Sequence, residues 1–273
     1  MAQADELIAL ADLHCHILPD WDDGPRTLDE SLNMARHAAQ SGLTHILVTP
    51  HVGRSFGSRD ERAARDIPPA CADLQRDITA AGIEITLVAG AELILGDPDL
   101  PARVGAQSWL TVGGAGRYAL VEAPTHTWTD QLDASLFAIS LHGVTPIIAH
   151  PERLADVQRD VSIMEKVAAR GALLQITARS LINRERAGQD CSRRLLEAGL
   201  VSLVASDAHS SRSVLPAEVA EALCNIVGEA AAHEILVKNP LRVLAGEPVS
   251  PPTPEPKKSE RGLWNWSRLL KRH

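Results

Sequence analysis

Short apolar runs alternate with longer amphipathic stretches along most of this chain, and run after run ends on a histidine or a carboxylate. Apolar runs bounded by Gly or Pro read as buried strands of a mostly parallel sheet, and stretches with apolar residues every three or four positions read as covering helices. Strands are expected at 7–13, 45–49, 85–92, 118–122, 146–150, 173–177 and 202–207. Helices are expected at 28–40, 67–81, 130–141, 161–170 and 191–198, then two closing helices at 217–227 and 230–237 and a helical turn at 240–244. Thr27 with Glu30 makes a capping box, Pro68 and Pro69 open the second helix, and Gly42, Gly82, Gly171 and Gly199 follow helix ends. Steady alternation over 273 residues without an interior linker favours one α/β barrel over two small domains.

Composition narrows the class. Hydrophobic residues make up 45% of the chain but aromatics only 3%, so the core should be Ala, Leu, Val and Ile. No apolar run approaches the ~20 residues of a membrane span, and the start, with Asp5 and Glu6, lacks a basic signal region. A cytoplasmic location is the resulting expectation. Cys15, Cys71, Cys191 and Cys224 form no C-x-x-C pair and none begins a C-x5-R sequence, which excludes a thiolate phosphatase loop. The net charge of −8 includes six Lys or Arg against one Glu in 257–273, a local +5 that leaves −13 on the rest. An acidic body disfavours a nucleic-acid partner.

The stretch DLHCHILPDWDDG, residues 12–24, concentrates two imidazoles and four carboxylates. In a strand, alternation puts His14 and His16 on one face and Cys15 on the other. So many polar side chains together are costly unless something multivalent and positive holds them, and divalent metal is the usual answer. The Asp20-Trp21-Asp22 run reads as part of that metal loop rather than as a source of an aspartyl nucleophile. Six further residues lie at or just past a strand end: His51, Glu92, Glu122, His150, Asp207 and His209. Each taken singly has a structural explanation, but parallel α/β barrels assemble active sites at this rim, and the coincidence over so many strands points to one metal site. His37, His45, His142 and His233 are read as structural, and His126 as a minor candidate in the loop after the fourth strand.

In this order and spacing, DLHCHILPDWDDG, VTPH, AGAEL, VEAP, IIAHPER and ASDAH resemble the polymerase and histidinol phosphatase (PHP) superfamily. Within it they most resemble the capsular and exopolysaccharide tyrosine-protein phosphatases of the CpsB/CapC type, from Ala11 to about Arg212 and more weakly to Gly246. The resemblance implies a distorted TIM-like (β/α)7 barrel holding three divalent ions, manganese before iron or zinc. It implies His14, His16, Glu92 and Asp207 at the first ion, Glu92 bridging to Glu122 and His150 at the second, and Asp23, His51 and His209 at the third. Arg153 matches a phosphate-contacting arginine and Arg212, more loosely, a second. The segment after His51, VGRSFGSRD, departs from the family's aromatic-rich pattern.

The implied activity is hydrolysis of phosphotyrosine by attack of a metal-bridging hydroxide on phosphorus, on a protein such as a bacterial tyrosine kinase controlling capsule or exopolysaccharide synthesis. A small phosphomonoester such as histidinol phosphate, a nuclease activity, and a non-catalytic metal-stabilised docking module are the alternatives. The expected organisation is a metal-dependent domain at 1–247, a Pro-rich linker at 248–258 and a basic tail at 259–273, with folded structure ending near Gly246. As a helix the tail would place Leu263, Trp266 and Leu270 on one side, suited to an anionic membrane or a partner groove, and a solvated tail is the alternative. Association into a homo-oligomer is left open.

Overall fold

The computed structural model describes residues 10–52, 64–125, 127–182, 186–211 and 218–255. Nine strands occur among them: β1 (Ala11–Cys15), β2 (His45–Val48), β3 (His51–Val52), β4 (Thr86–Ala89), β5 (Glu92–Ile94), β6 (Tyr118–Glu122), β7 (Thr145–Ala149), β8 (Leu173–Thr177) and β9 (Val201–Ala205). All pairings are parallel, in the orders β1-β2-β4 and β3-β5-β6-β7-β8-β9. β2 covers most of the expected strand 45–49 and is followed, past Thr49-Pro50, by the short β3, which was not expected, while the expected strand 85–92 is interrupted at Gly90-Ala91 and resumes as β5. Pro50 has no N–H to give the ladder. The two sheets nevertheless run into each other, since Thr49 N–H donates to Cys15 O at 3.0 Å and Glu92 N–H to Pro50 O at 3.1 Å. At the other end Asp207 N–H donates to His14 O at 2.8 Å and His16 N–H to Ala208 O at 2.9 Å, so the chain leaving β9 lies beside the end of β1. This is the expected TIM-like α/β architecture.

The helices are α1 (Leu28–Gln40), α2 (Ile67–Ala80), α3 (Leu100–Ala106), α4 (Asp130–Ser140), α5 (Ala155–Arg159), α6 (Ser162–Ala169), α7 (Ala178–Ile182), α8 (Arg186–Glu197), α9 (Glu218–Val227), α10 (Glu229–His233) and α11 (Asn239–Leu244), with a π-helical turn between the last two. The Thr27 capping box forms as expected, with Thr27 Oγ1 accepting from Glu30 N–H at 3.3 Å. Strand residues divide between two apolar layers. Ile46, Val48, Leu93, Val121, Ile148, Leu174 and Val204 face the helices, while Leu13, Leu47, Leu120, Ile147, Leu173 and Leu203 pack together inside. Each such buried aliphatic side chain contributes roughly 1.5–3 kcal/mol. The inner layer reaches up the strands as far as Leu47 and Ala149, and polar groups gather beyond it.

Several expectations needed correction. β1 runs from Ala11 through His14 to Cys15, past the expected end at Leu13, because its register is set by pairing with β2 (Ala11 with His45, Cys15 with Val48). Residues 1–9 lie outside the described residues. α8 begins at Arg186, five residues early, since its polar first turn hides the apolar face made by Cys191, Leu195 and Leu196. The short helices α3, α5 and α7 carry too little periodic pattern to read.

The chain also stays on the body beyond Gly246. Tyr118 OH donates to Glu247 O at 2.5 Å, Asn239 Nδ2 reaches Ser202 O at 3.0 Å and Ser250 O at 3.3 Å, and Glu255 N–H donates to Val227 O at 2.8 Å. Val249 packs on the inner layer. Residues 247–255 thus form a strap under the strand starts, and their prolines limit the entropy lost in ordering it. Residues 256–273, with the expected tail, lie outside the described residues.

Candidate metal centre

The backbone departs from regularity where the candidate ligands sit. Ala11 and Leu13 are inner-layer residues, so strict alternation along β1 would turn His14 outward. β1 carries one residue more than β2 between Asp12 and Cys15, and this bulge turns His14 inward. The rings of His14 and His16 are 5.2 Å apart while Cys15 packs in the outer layer, as expected from the sequence. His150 follows inner-layer Ala149, and its left-handed backbone, φ 36° and ψ 51°, turns its ring back to within 5.5 Å of that of His14. Asp207 (φ 52°) and Asp20 (φ 51°) complete the non-glycine positions of positive φ among the described residues. Such backbone costs on the order of 1–3 kcal/mol each, so strain is concentrated around this site.

Glu92, fully buried at the start of β5, stands at the centre. Its Oε2 lies 3.2 Å from His14 Nε2, 3.3 Å from His16 Nε2 and 3.2 Å from His51 Nδ1, and its Oε1 lies 3.0 Å from His150 Nε2. Asp207 Oδ1 is 3.2 Å from His14 Nε2, and Glu122 Oε1 is 3.2 Å from His51 Nδ1. At the outer side Asp23 Oδ1 is 3.2 Å from His209 Nε2 and 3.7 Å from His51 Nε2. The nine expected ligands fall into four overlapping groups: His16, Asp23, His51 and His209; His14, His150 and Asp207; His14, His16 and Glu92; His51, Glu92 and Glu122. Within each group the donor atoms all lie within 4.8 Å of one another. The overlap differs from the expected three sets in placing His150 with His14 and Asp207, and His51 with Glu92 and Glu122.

Electrostatics follow from this crowding. Burial opposes a charge on His14, but the Glu92 and Asp207 carboxylates outweigh it and raise the imidazole to about 9. Burial likewise opposes ionisation of Glu92, yet His14, His150 and His16 hold it well below the carboxylate range. Asp23 is lowered to about 2, chiefly by its hydrogen bond with His209.

These residues fit a set of divalent cations. His51 Nδ1 and Glu92 Oε2 are buried, 3.2 Å apart, and neither has a hydrogen-bond partner among the described residues. The Nε2 atoms of His14 and His16 approach to 3.2 Å although each ring's Nδ1 is engaged elsewhere. Acceptor atoms gathered with too few hydrogens among them are what cations satisfy. The donor set is imidazole and carboxylate, which suits manganese, iron or zinc.

Sequence reasoning missed the groups behind this set. Asp22, read only as part of the loop, accepts from His16 Nδ1 at 2.8 Å and from the backbone N–H groups of His51 (3.1 Å) and Gly24 (3.0 Å). Gln175 Oε1 lies 2.9 Å from His14 Nδ1. Asp12 accepts from Ser206 N–H at 2.9 Å and from Ser206 Oγ, tying β1 to the end of β9. The available signal was a polar residue inside an apolar strand, as in Ala11-Asp12-Leu13 and Leu174-Gln175-Ile176. Glu152, fully buried, accepts from Thr177 N–H (2.9 Å), Thr177 Oγ1 (2.8 Å) and Ser180 Oγ (2.8 Å), which anchors the turn carrying Arg153.

Arg153 stands at the rim with Nη2 2.5 Å from Asp207 Oδ2 and its side chain 45% exposed. Arg212 and His126 lie outside the described residues, while His37, His45, His142 and His233 belong to none of the four groups. All four cysteines are buried, and burial pushes the thiols of Cys71 to about 11 and Cys191 to about 12 and that of Cys15 well upward. Thiolate chemistry has no support here.

Comparison with known proteins agrees with the site. Residues 10–245 match the family described as capsular polysaccharide synthesis, CpsB/CapC. Tyrosine-protein phosphatase YwqE of Bacillus subtilis (strain 168) is 31% identical over 206 residues, 75% of this chain and 79% of that protein. Tyrosine-protein phosphatase CpsB of Streptococcus pneumoniae is 28% identical over 251 residues, 86% of this chain and 98% of that protein. A crystal structure from work on YwqE and CpsB, described there as unique metal-dependent tyrosine phosphatases, superposes with a TM-score of 0.80 at 26% identity, covering 91% of this chain and 100% of that one. With the family match spanning nearly all of the described fold, the chain belongs to the CpsB/CapC family.

Proposed function

We propose that this chain is a metal-dependent protein-tyrosine phosphatase acting on a bacterial tyrosine kinase that controls capsule or exopolysaccharide synthesis. The observation that carries the reading is the convergence of nine imidazole and carboxylate side chains, from six separate strand ends and their loops, into four overlapping groups. In this reading His14, His16, Asp23, His51, Glu92, Glu122, His150, Asp207 and His209 hold three divalent ions, manganese first among them. When bound, such ions supply positive charge for the phosphoryl oxygens and make water a nucleophile near neutral pH.

The chain's own groups do the rest. Arg153 binds phosphoryl oxygens with its guanidinium, held over the rim by Asp207, and takes up charge that develops on them. Arg212 is assigned a second such contact. A tyrosine phenolate, with a pKa of about 10, leaves without a dedicated acid. A cytoplasmic location is part of this reading; no helix among the described residues is long and apolar enough to cross a membrane. The basic tail is assigned to contact with an anionic membrane surface or a partner, and homo-oligomerisation is a further feature of the reading.

A substrate panel with defined metal tests the proposal. Phosphotyrosine peptide should be turned over with manganese, faster than histidinol phosphate or single-stranded DNA, and not under chelator. His14→Ala and Asp207→Ala should lose metal and activity together. Preferred turnover of histidinol phosphate would assign a small-molecule phosphatase instead, and metal binding without hydrolysis of any substrate would leave a docking module.

A further inference from the structure

Gln175 is fully buried in the middle of β8, where its neighbours Leu173, Leu174 and Ile176 are apolar. A buried primary amide brings two donors and an acceptor that need partners. Its Nε2 donates to Ile176 O at 2.7 Å, and its Oε1 lies 2.9 Å from His14 Nδ1. The carbonyl contact settles the orientation of the amide, because the reverse setting would place two oxygens against each other. An amide oxygen only accepts, so the hydrogen between them sits on His14 Nδ1. The Nε2 of His14 then faces Glu92 Oε2 and Asp207 Oδ1, each 3.2 Å away. The backbone of Gln175 acts on a second candidate ligand, since its carbonyl accepts the N–H of His150 at 2.8 Å.

We propose that Gln175 is a positioning residue of the metal centre: by holding the Nδ1–H of His14 it makes Nε2 the metal-facing nitrogen and raises cation affinity while touching neither cation nor substrate. The inference rests on the reading of His14 as a metal ligand. Its physical basis is that the partner of a ligating imidazole's second nitrogen fixes tautomer and ring orientation, and losing such a partner costs about 10–100-fold in affinity. Asp22 holds His16 Nδ1 in the same way, but Gln175 achieves this without adding charge to a site that already carries several carboxylates.

The test uses the full chain and Zn²⁺ as a diamagnetic probe. Affinity is read by competition with a chromophoric chelator, and the His14 Nδ1–H by ¹⁵N-resolved NMR of the loaded protein. Gln175→Leu should weaken Zn²⁺ binding about 10–100-fold and expose the Nδ1–H to exchange, with thermal unfolding of the chelated protein little changed. Gln175→Met, whose thioether is at most a weak acceptor, repeats this arm should the Leu variant not fold. Unchanged affinity in these variants, or a His14 Nδ1–H as protected from exchange as in the parent, overturns the inference. His14→Ala in the same assay separates the two levels. If it binds Zn²⁺ like the parent, the ligand reading itself falls; if it loses the tight site while Gln175→Leu keeps it, only the role of Gln175 falls.

Discussion

Arg153 Nη2 lies 2.5 Å from Asp207 Oδ2, so a guanidinium at the rim is held by the same carboxylate whose Oδ1 faces His14 Nε2. Burial opposes the charge on Arg153, and Asp207 followed by Glu152 outweighs it, keeping the side chain cationic. Arg153→Ala should therefore lower kcat/KM for an aryl phosphate roughly 10²–10³-fold, the range for removing one transition-state donor, with manganese content unchanged. Steady-state kinetics beside elemental analysis checks this, and loss of metal with the arginine would contradict it.

Gly24 cannot carry a side chain in this fold. A Cβ there would stand 2.3 Å from His16 O and 3.2 Å from Asp22 Oδ1. Gly24→Ala must displace the loop that lets Asp22 hold both His16 Nδ1 and the His51 backbone. The expected result is metal affinity reduced by about tenfold or more although no ligand is removed, measured by chelator competition. Parent-like affinity would show that the loop adjusts freely.

In the metal-free protein the stability should depend on pH with a defined sign. His14 is raised from 6.5 to about 9, so its contribution is complete below 6.5 and disappears as pH rises through 9. Asp23 is lowered from 3.8 to about 2, so its contribution is complete above 3.8 and disappears as pH falls through 2. Thermal unfolding under chelator should thus give its highest Tm between about pH 4 and 6.5 and a falling Tm toward 9, on the basis of these two groups. A Tm that climbs steadily from 6.5 to 9 would contradict the pairing seen here.

Tyr118 and the strap beneath the strands should matter for stability and not for catalysis. Tyr118→Phe removes the hydrogen bond to Glu247 O and should cost about 1 kcal/mol in urea unfolding. Ending the chain at residue 246 also removes the Val249 packing and the Glu255 to Val227 bond, and should cost more. Unchanged kinetic constants in both variants would agree with the distance implied by placing the strap at the strand starts and the metal centre at their ends.

The sequence was most informative where chemistry is local. Thr27 and Glu30 announce their capping box three residues apart, and 118–122 and 173–177 are observed as strands with the bounds expected. Eight of the nine expected ligands were legible because each stands at or just past the end of an apolar run, a pattern that needs no knowledge of the partner strand, whereas Asp23 came only from the family resemblance. Gln175 and Asp12 were not singled out, since a lone polar residue within an apolar strand is meaningful only once its partner, 161 residues away for Gln175 and 194 for Asp12, is known. The strap at 247–255 was misread as leaving the fold for the same reason, because proline content describes stiffness and not contact.

By itself, then, the order of residues determined that parallel strands and helices alternate and which side chains stand at the strand ends, because periodicity, capping and turn chemistry act over a few residues. Only the tertiary structure decided how those side chains are aimed. A one-residue bulge turns His14 inward, left-handed backbone at His150 and Asp207 does the same for two more, and Asp22 and Gln175 engage the far nitrogens of two rings. Those features exist only where strands distant in sequence lie a hydrogen bond apart, and at that range register and strain, not composition, set which atom faces the centre.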